Sequence, residues 1–152
     1  EAIAAGKPYL GICLGLQVLF ESSEEAPDCP GLGVLRGHVR RIPDGLHDAR
    51  GEVLKVPHMG WNELRPRRPH PLLRATHAAL QHGSAAGVFY YFVHSYHVVP
   101  AEPFLVAATA PFGDLPIAAA VAIDNVFAVQ FHPEKSQRAG LALLAAFVEW
   151  TC

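Results

Sequence analysis

Tyr9-Leu10-Gly11-Ile12-Cys13-Leu14-Gly15-Leu16-Gln17 is the stretch on which the reading of the fold turns. Tyr9 to Ile12, introduced by Lys7-Pro8, is a short apolar run of the kind that fills a buried parallel strand. From Leu14 the period changes. Leu16, Leu19 and Phe20 stand at i, i+3 and i+4, and polar residues follow from Glu21 to Glu25, so residues 14–25 read as a helix. Cys13 sits where strand becomes helix, between two glycines.

That setting suits a reactive side chain. Glycines at 11 and 15 permit a tight turn and a close approach of neighbouring backbone, the arrangement of a nucleophile elbow. A thiol there points out of the sheet at a helix N-terminus, whose partial positive charge favours thiolate. The five residues alone leave a buried structural cysteine equally open. A nucleophilic cysteine needs a base and a group to orient that base. His132 closes the apolar run 126–131 and is followed by Pro133-Glu134, which lets the carboxylate return to the imidazole. The other histidines offer less. His94 and His97 are three apart, which on a strand turns them to opposite faces and makes a metal pair improbable. His58 lies in an unusual stretch whose spacing specifies no reaction. His38, His47, His70, His77 and His82 read as solvated.

Working outward, residues 1–6 read as the end of a helix stopped by Gly6. Residues 33–42 and 52–56 read as short strands around a Pro43-Asp44-Gly45 turn, and 65–71 as a proline-rich loop before a brief helix at 72–75. Residues 88–99 read as one long strand ended by Pro100, and 104–108 as another. Residues 116–123 and 126–131 flank Asp124-Asn125, a pair suited to a tight hairpin, and 138–150 carries helical apolar spacing. The elements read as an α/β chain of short strands and helices.

Composition narrows the function classes. The 152 residues are 51% hydrophobic and 17% charged, far from the disordered regime. Twelve basic against fourteen acidic residues give a net charge of -2, without the basic excess a nucleic-acid binder requires. No apolar run approaches the ~20 residues of a membrane span. The expectation is a cytoplasmic protein with no nucleic-acid or membrane partner. Three scattered cysteines, Cys13, Cys29 and Cys152, predict free thiols rather than disulfides or a metal site, and no phosphate loop, dinucleotide fingerprint or zinc motif calls for a cofactor.

Two well-separated motifs in order, Gly11-Ile12-Cys13-Leu14-Gly15-Leu16-Gln17 and Gln130-Phe131-His132-Pro133-Glu134, resemble the signature of class I, triad-type glutamine amidotransferases, which implies an α/β, flavodoxin-like fold: an open, largely parallel sheet flanked by helices, with an additional antiparallel part. Phe20 to Glu25, Lys55 to Asn62, Tyr91 to Tyr96 and Pro133 to Ser136 further resemble glutaminase subunits of imidazole glycerol phosphate synthases, from histidine biosynthesis. The resemblance implies a catalytic triad of Cys13, His132 and Glu134. It places glutamine against Leu14, Gln17, Glu25, Ser95 and Tyr96, with the Leu14 N–H as an oxyanion donor. Met59, Trp61, Asn62, Tyr91 and Lys135 match the family's surface for a (β/α)8-barrel cyclase partner, to which ammonia is passed out of contact with water. No metal or cofactor is implied. The family's segment before the elbow strand carries the first strands of the sheet and a glycine-rich turn that completes the oxyanion hole. The expectation is therefore one amidotransferase domain over 1–152, N-terminally truncated, with low activity or solubility by itself. Other acceptors, of the anthranilate, carbamoyl phosphate or GMP type, and a catalytically inactive interaction module are the alternatives.

Overall fold

The computed structural model describes residues 1–80 and 87–151; His82 and Cys152 lie outside them. A six-stranded sheet runs in the order β1-β9-β8-β7-β4-β5, built from β1 (Tyr9–Ile12), β4 (His58–Pro66), β5 (Val88–His94), β7 (Val106–Phe112), β8 (Leu115–Ile123) and β9 (Val126–Val129). A three-stranded sheet packs beside it, with β2 (Ser22–Ser23), β3 (Gly37–Arg41) and β6 (Tyr96–Pro100) in that order. The helices are α1 (Leu14–Gln17), α2 (Pro71–Leu80) and α3 (Gln137–Val148). The α/β class and the antiparallel part stand, but the sheet is mixed rather than largely parallel. In the larger sheet only β1 and β9 pair parallel, and the remaining neighbours are antiparallel.

β9 is the centre of the fold. All four of its residues are buried, and they alternate between two cores, Phe127 and Val129 facing one and Val126 and Ala128 the other. The first core packs β5 and β8 against α2 and α3 through Tyr90, Phe92, Leu72 and Leu143. The second packs Leu16, Leu19 and Phe20 of the elbow segment against Val39 and Val98. A fully buried aromatic such as Phe127 contributes roughly 1.5–3 kcal/mol. The Asp124-Asn125 hairpin forms as read, with Asp124 at φ 46° and Ile123 opposite Val126. Asn125 also ties down the N-terminal residues, its Nδ2 donating to the carbonyls of Ile3 and Lys7.

Several local readings change. Residues 1–6 make only one turn, but it closes as a helix end does, with Ala5 N donating to Glu1 O and, around Gly6 at φ 74°, Gly6 N to Ile3 O and Lys7 N to Ala2 O. The helix read over 14–25 stops at Gln17, because Ser22 and Ser23 pair with His38 and Val39. Residues 52–56 supply only an isolated bridge, Val53 to His47. The helix expected at 72–75 runs from Pro71 to Leu80. The run 88–99 is two strands, because the chain bends at Ser95 and passes from one sheet to the other. His94 Nδ1, 2.8 Å from the Tyr96 carbonyl two residues on, holds that bend. Residues 103–105 form a 3₁₀ turn, so β7 begins at Val106. β4 was not foreseen at all.

Candidate active site

Cys13 follows the last residue of β1 and has φ 51° and ψ −104°, a sparsely populated conformation for a residue with a Cβ. Its N–H donates to Val129 O at 2.8 Å, and its carbonyl receives the N–H groups of Leu16 and Gln17, starting α1. Gly11 makes the turn possible. A Cβ there would lie 2.6 Å from Gly15 O and 2.8 Å from the Cβ of Ala128.

His132 arrives from the neighbouring strand, three residues past Val129, which pairs with Ile12. Both chemical groups therefore leave the sheet at the C-terminal ends of adjacent parallel strands, where α/β sheets hold their ligands. Pro133 begins a 3₁₀ turn, Pro133–Lys135, that swings Glu134 back so that its Oε1 lies 2.6 Å from His132 Nδ1. The backbone around this pair is clamped. His132 N donates to Tyr91 O, Ser136 Oγ donates to His132 O at 2.6 Å, and the same hydroxyl receives Tyr91 N at 2.9 Å. Gly140 of α3 lets the turn sit close, since a Cβ there would lie 1.7 Å from Pro133 O. With Nδ1 held by the carboxylate, Nε2 is left buried and without a hydrogen-bond partner among the described residues.

The thiol does not use that nitrogen in this state. Its hydrogen bond is to Gln130 Nε2, 3.7 Å away. Burial pushes the Cys13 thiol up from its ordinary value; the Leu14 N–H and Gln130 pull it down, and the charges of Glu134 and Glu25 push it up further. The net direction opposes the thiolate expected from a helix N-terminus, because burial outweighs the two hydrogen-bond donors that favour the charged form. A thiol kept protonated needs a base at hand to react.

The residues expected around glutamine differ in how they relate to this thiol. Leu14 is 61% exposed and its N–H faces the sulfur. Glu25 is exposed and near enough for its charge to act on Cys13. Gln17 is buried, its Nε2 donating to both the Tyr96 carbonyl and Gln130 Oε1 at 3.1 Å. Ser95 O receives the N–H of Ile42, which fixes the strand bend.

Of the residues expected at a partner surface, Met59 and Trp61 point outward from β4 and are 62% and 48% exposed. Tyr91, opposite Trp61 on β5, packs edge-on against it with ring centroids 6.1 Å apart, and Lys135 is exposed on the adjoining turn. Asn62 differs. Strand alternation turns its amide inward, onto His58 and Pro111 O. Phe89 joins the outward face and was missed. Also missed were Gln130, Ser136 and the contact of His58 with His94, 3.0 Å apart. His70, read as solvated, is buried and stacked on Phe127. Among the described residues, no three His, Cys, Asp or Glu side chains are grouped to hold a metal ion, and no helix is long and apolar enough to cross a membrane.

Residues 1–150 match the family model for glutamine amidotransferase class-I. The chain belongs to this family. Among curated relatives, the chain is 53% identical to the imidazole glycerol phosphate synthase subunit HisH of Thiobacillus denitrificans, over 99% of its own length and 63% of that protein. It is 54% identical to the subunit of the same name from Methylococcus capsulatus, over 97% of the chain and 64% of that protein. It thus spans a little under two thirds of the length of these relatives. Among solved structures, it superposes on a glutamine amidotransferase from Thermotoga maritima with a TM-score of 0.57 at 17% identity, covering 98% of this chain and 50% of that one. For the glutaminase domain of the Trypanosoma brucei CTPS the TM-score is 0.56 at 18% identity, over 99% and 64% of the two chains. At such identities the likeness is one of fold.

Proposed function

We propose that this amidotransferase is the glutaminase subunit of an imidazole glycerol phosphate synthase, working in the cytoplasm in histidine biosynthesis. The observation that carries the reading is an elbow thiol at the end of one strand and, past the end of the parallel strand next to it, a histidine whose Nδ1 is held by a carboxylate, in a sequence more than half identical to two subunits of that name.

The chemistry follows from the arrangement. Glutamine enters with its carboxamide at Cys13. The thiol proton passes to His132 Nε2 as the sulfur bonds to the carboxamide carbon, and the carbonyl oxygen becomes an oxyanion facing the Leu14 N–H. Collapse breaks the C–N bond; His132 returns the proton to the leaving nitrogen, ammonia departs, and a glutamyl thioester remains. Water, deprotonated by His132, then cleaves the thioester to glutamate and restores the thiol. Glu134 keeps the Nδ1–H oriented and stabilises the imidazolium formed in each half-reaction. The ammonia moves to a (β/α)8-barrel cyclase docked over Met59, Trp61, Tyr91 and Lys135, which forms imidazole glycerol phosphate and AICAR. Shielding from water keeps ammonia unprotonated and nucleophilic.

Incubating the full-length chain and its partner with a diazo-ketone analogue of glutamine, followed by peptide mass spectrometry, tests the assignment. One adduct is expected, on Cys13. An adduct on Cys29 alone, or none, would refute the nucleophile. Co-purification with a synthase of another kind would refute the acceptor.

A further inference from the structure

Behind the nucleophile runs a line of buried polar groups that the mechanism above does not use. Its proton positions can be deduced from its two ends, both of them carbonyls, which only accept. At one end His94 Nδ1 lies 2.8 Å from Tyr96 O, so Nδ1 carries the hydrogen. Burial holds His94 neutral, its pKa lowered to about 3, which leaves Nε2 bare. That bare nitrogen faces His58 Nδ1 at 3.0 Å, so Nδ1 of His58 is the donor. Burial likewise lowers the pKa of His58 to about 4, so its Nε2 is bare and receives Asn62 Nδ2 at 3.0 Å. The other Nδ2 hydrogen goes to Pro111 O at 2.6 Å, while Asn62 Oδ1 receives the N–H of Glu63 at 2.8 Å, which fixes the amide orientation independently. Every donor in the line then has one acceptor.

The line continues past Tyr96. The same carbonyl receives Gln17 Nε2 at 3.1 Å, whose second hydrogen goes to Gln130 Oε1, and Gln130 Nε2 donates to Cys13 Sγ. The Tyr96 peptide stands at the bend between two sheets, where Tyr96 pairs with Arg41 at the end of the ladder, and its carbonyl accepts two side-chain donors, His94 Nδ1 and Gln17 Nε2. His94 is held in turn by His58, which hydrogen-bonds to it, stacks on Phe92 and packs against Phe112.

We propose that His58 and His94, both as the Nδ1–H tautomer, are positioning residues for the nucleophile: they aim the Tyr96 carbonyl, which anchors the Gln17–Gln130 amide pair that donates to Cys13. This rests on Cys13 being the nucleophile. A pair serving only to fill the core would be replaceable by apolar rings and indifferent to tautomer.

Two measurements on the full-length chain with its partner test the assignment. ¹⁵N-resolved imidazole spectra should show Nδ1 protonated and Nε2 bare on both rings, unchanged down to about pH 5; a protonated Nε2 on either ring overturns the proposal. The second is the rate of Cys13 labelling by the diazo-ketone analogue at saturation. His94→Phe keeps the packing and removes the donor, and the labelling rate should fall about tenfold. His94→Asn, whose Nδ2 replaces the lost donor to Tyr96 O, should recover most of it. Wild-type labelling in His94→Phe, or equal losses in both variants, would overturn the positioning role. Failure of the unaltered chain to label at Cys13 would instead remove the nucleophile on which it rests.

Discussion

The two glycines that flank Cys13 look equivalent in sequence, and the structure predicts opposite outcomes for them. An alanine at position 11 would put its Cβ 2.6 Å from Gly15 O and 2.8 Å from both Gly15 C and the Cβ of Ala128. Carbon contacts settle near ~3.5–4.0 Å, so something must move by most of an ångström. Two of the three neighbours are backbone of α1, and the third is the methyl group of the fully buried Ala128 on β9, so no flexible side chain can yield. Overpacking of this kind costs about 2–3 kcal/mol. Displacing the elbow also moves the Cys13 sulfur relative to His132, and a misplacement of ~1 Å costs roughly 10²-fold in rate. At position 15 the nearest atom to a new Cβ is the Tyr9 hydroxyl at 3.6 Å, an ordinary contact, and the residue is helical. Gly15→Ala should therefore be neutral or gain up to about 1 kcal/mol from helix propensity. Urea titration followed by circular dichroism measures both: Gly11→Ala should lower the midpoint at constant slope, and Gly15→Ala should not. Equal losses in the two variants, or a Gly11→Ala protein within about 0.5 kcal/mol of the parent, would refute the steric argument.

Glu134→Gln keeps an acceptor atom beside His132 but removes the charge that stabilises its protonated form. Glutamine hydrolysis should drop roughly 10²–10⁴-fold, with the unfolding midpoint nearly unchanged because the carboxylate is half exposed. His70 is buried, receives the N–H of Leu72 at the start of α2, and has its pKa lowered to about 4 by burial and by the charges of Arg68 and Arg74. A lowered histidine pKa means the unfolded chain takes up the proton first. The stability this group confers is present above its ordinary value of 6.5 and is lost as pH falls toward 4, so His70→Asn, which retains a cap acceptor, should flatten the fall of the urea midpoint over that window. Because burial and two carboxylates raise the Cys13 thiol, its alkylation by iodoacetamide in a Cys29→Ser background should keep accelerating above about pH 9, and Glu25→Gln should speed it about twofold at fixed pH.

The elbow was legible because its constraint is local: a strand-to-helix change of period around Gly-x-Cys-x-Gly. The β8–β9 hairpin and α3 were legible for the same reason, each carrying its signal within a few residues. β4 was not, although it is nine residues long. Its inward positions are His58, Gly60, Asn62 and Leu64, so its buried face is satisfied largely by hydrogen bonds rather than apolar side chains, and the alternation that betrays a strand is muted. The same blindness hid His58, His94 and Asn62 as a buried group. The break at Ser95 lay inside an unbroken run of good strand formers and became visible only once Tyr96 was seen paired with Arg41 in the second sheet. The sheet's mixed direction was obscured because strands buried on both faces, such as β9, read as continuous apolar runs whichever way their neighbours run.

Cys13 carries the proposed glutaminase chemistry, and its role is tested most directly in the proposed two-subunit synthase. With the full-length chain and the proposed cyclase partner, imidazole glycerol phosphate formation is measured with glutamine and, separately, with ammonium salt as nitrogen donor. Cys13→Ala should abolish the glutamine-dependent reaction and leave the ammonia-dependent one intact. Glutamine-dependent synthesis that survives the substitution would contradict the account.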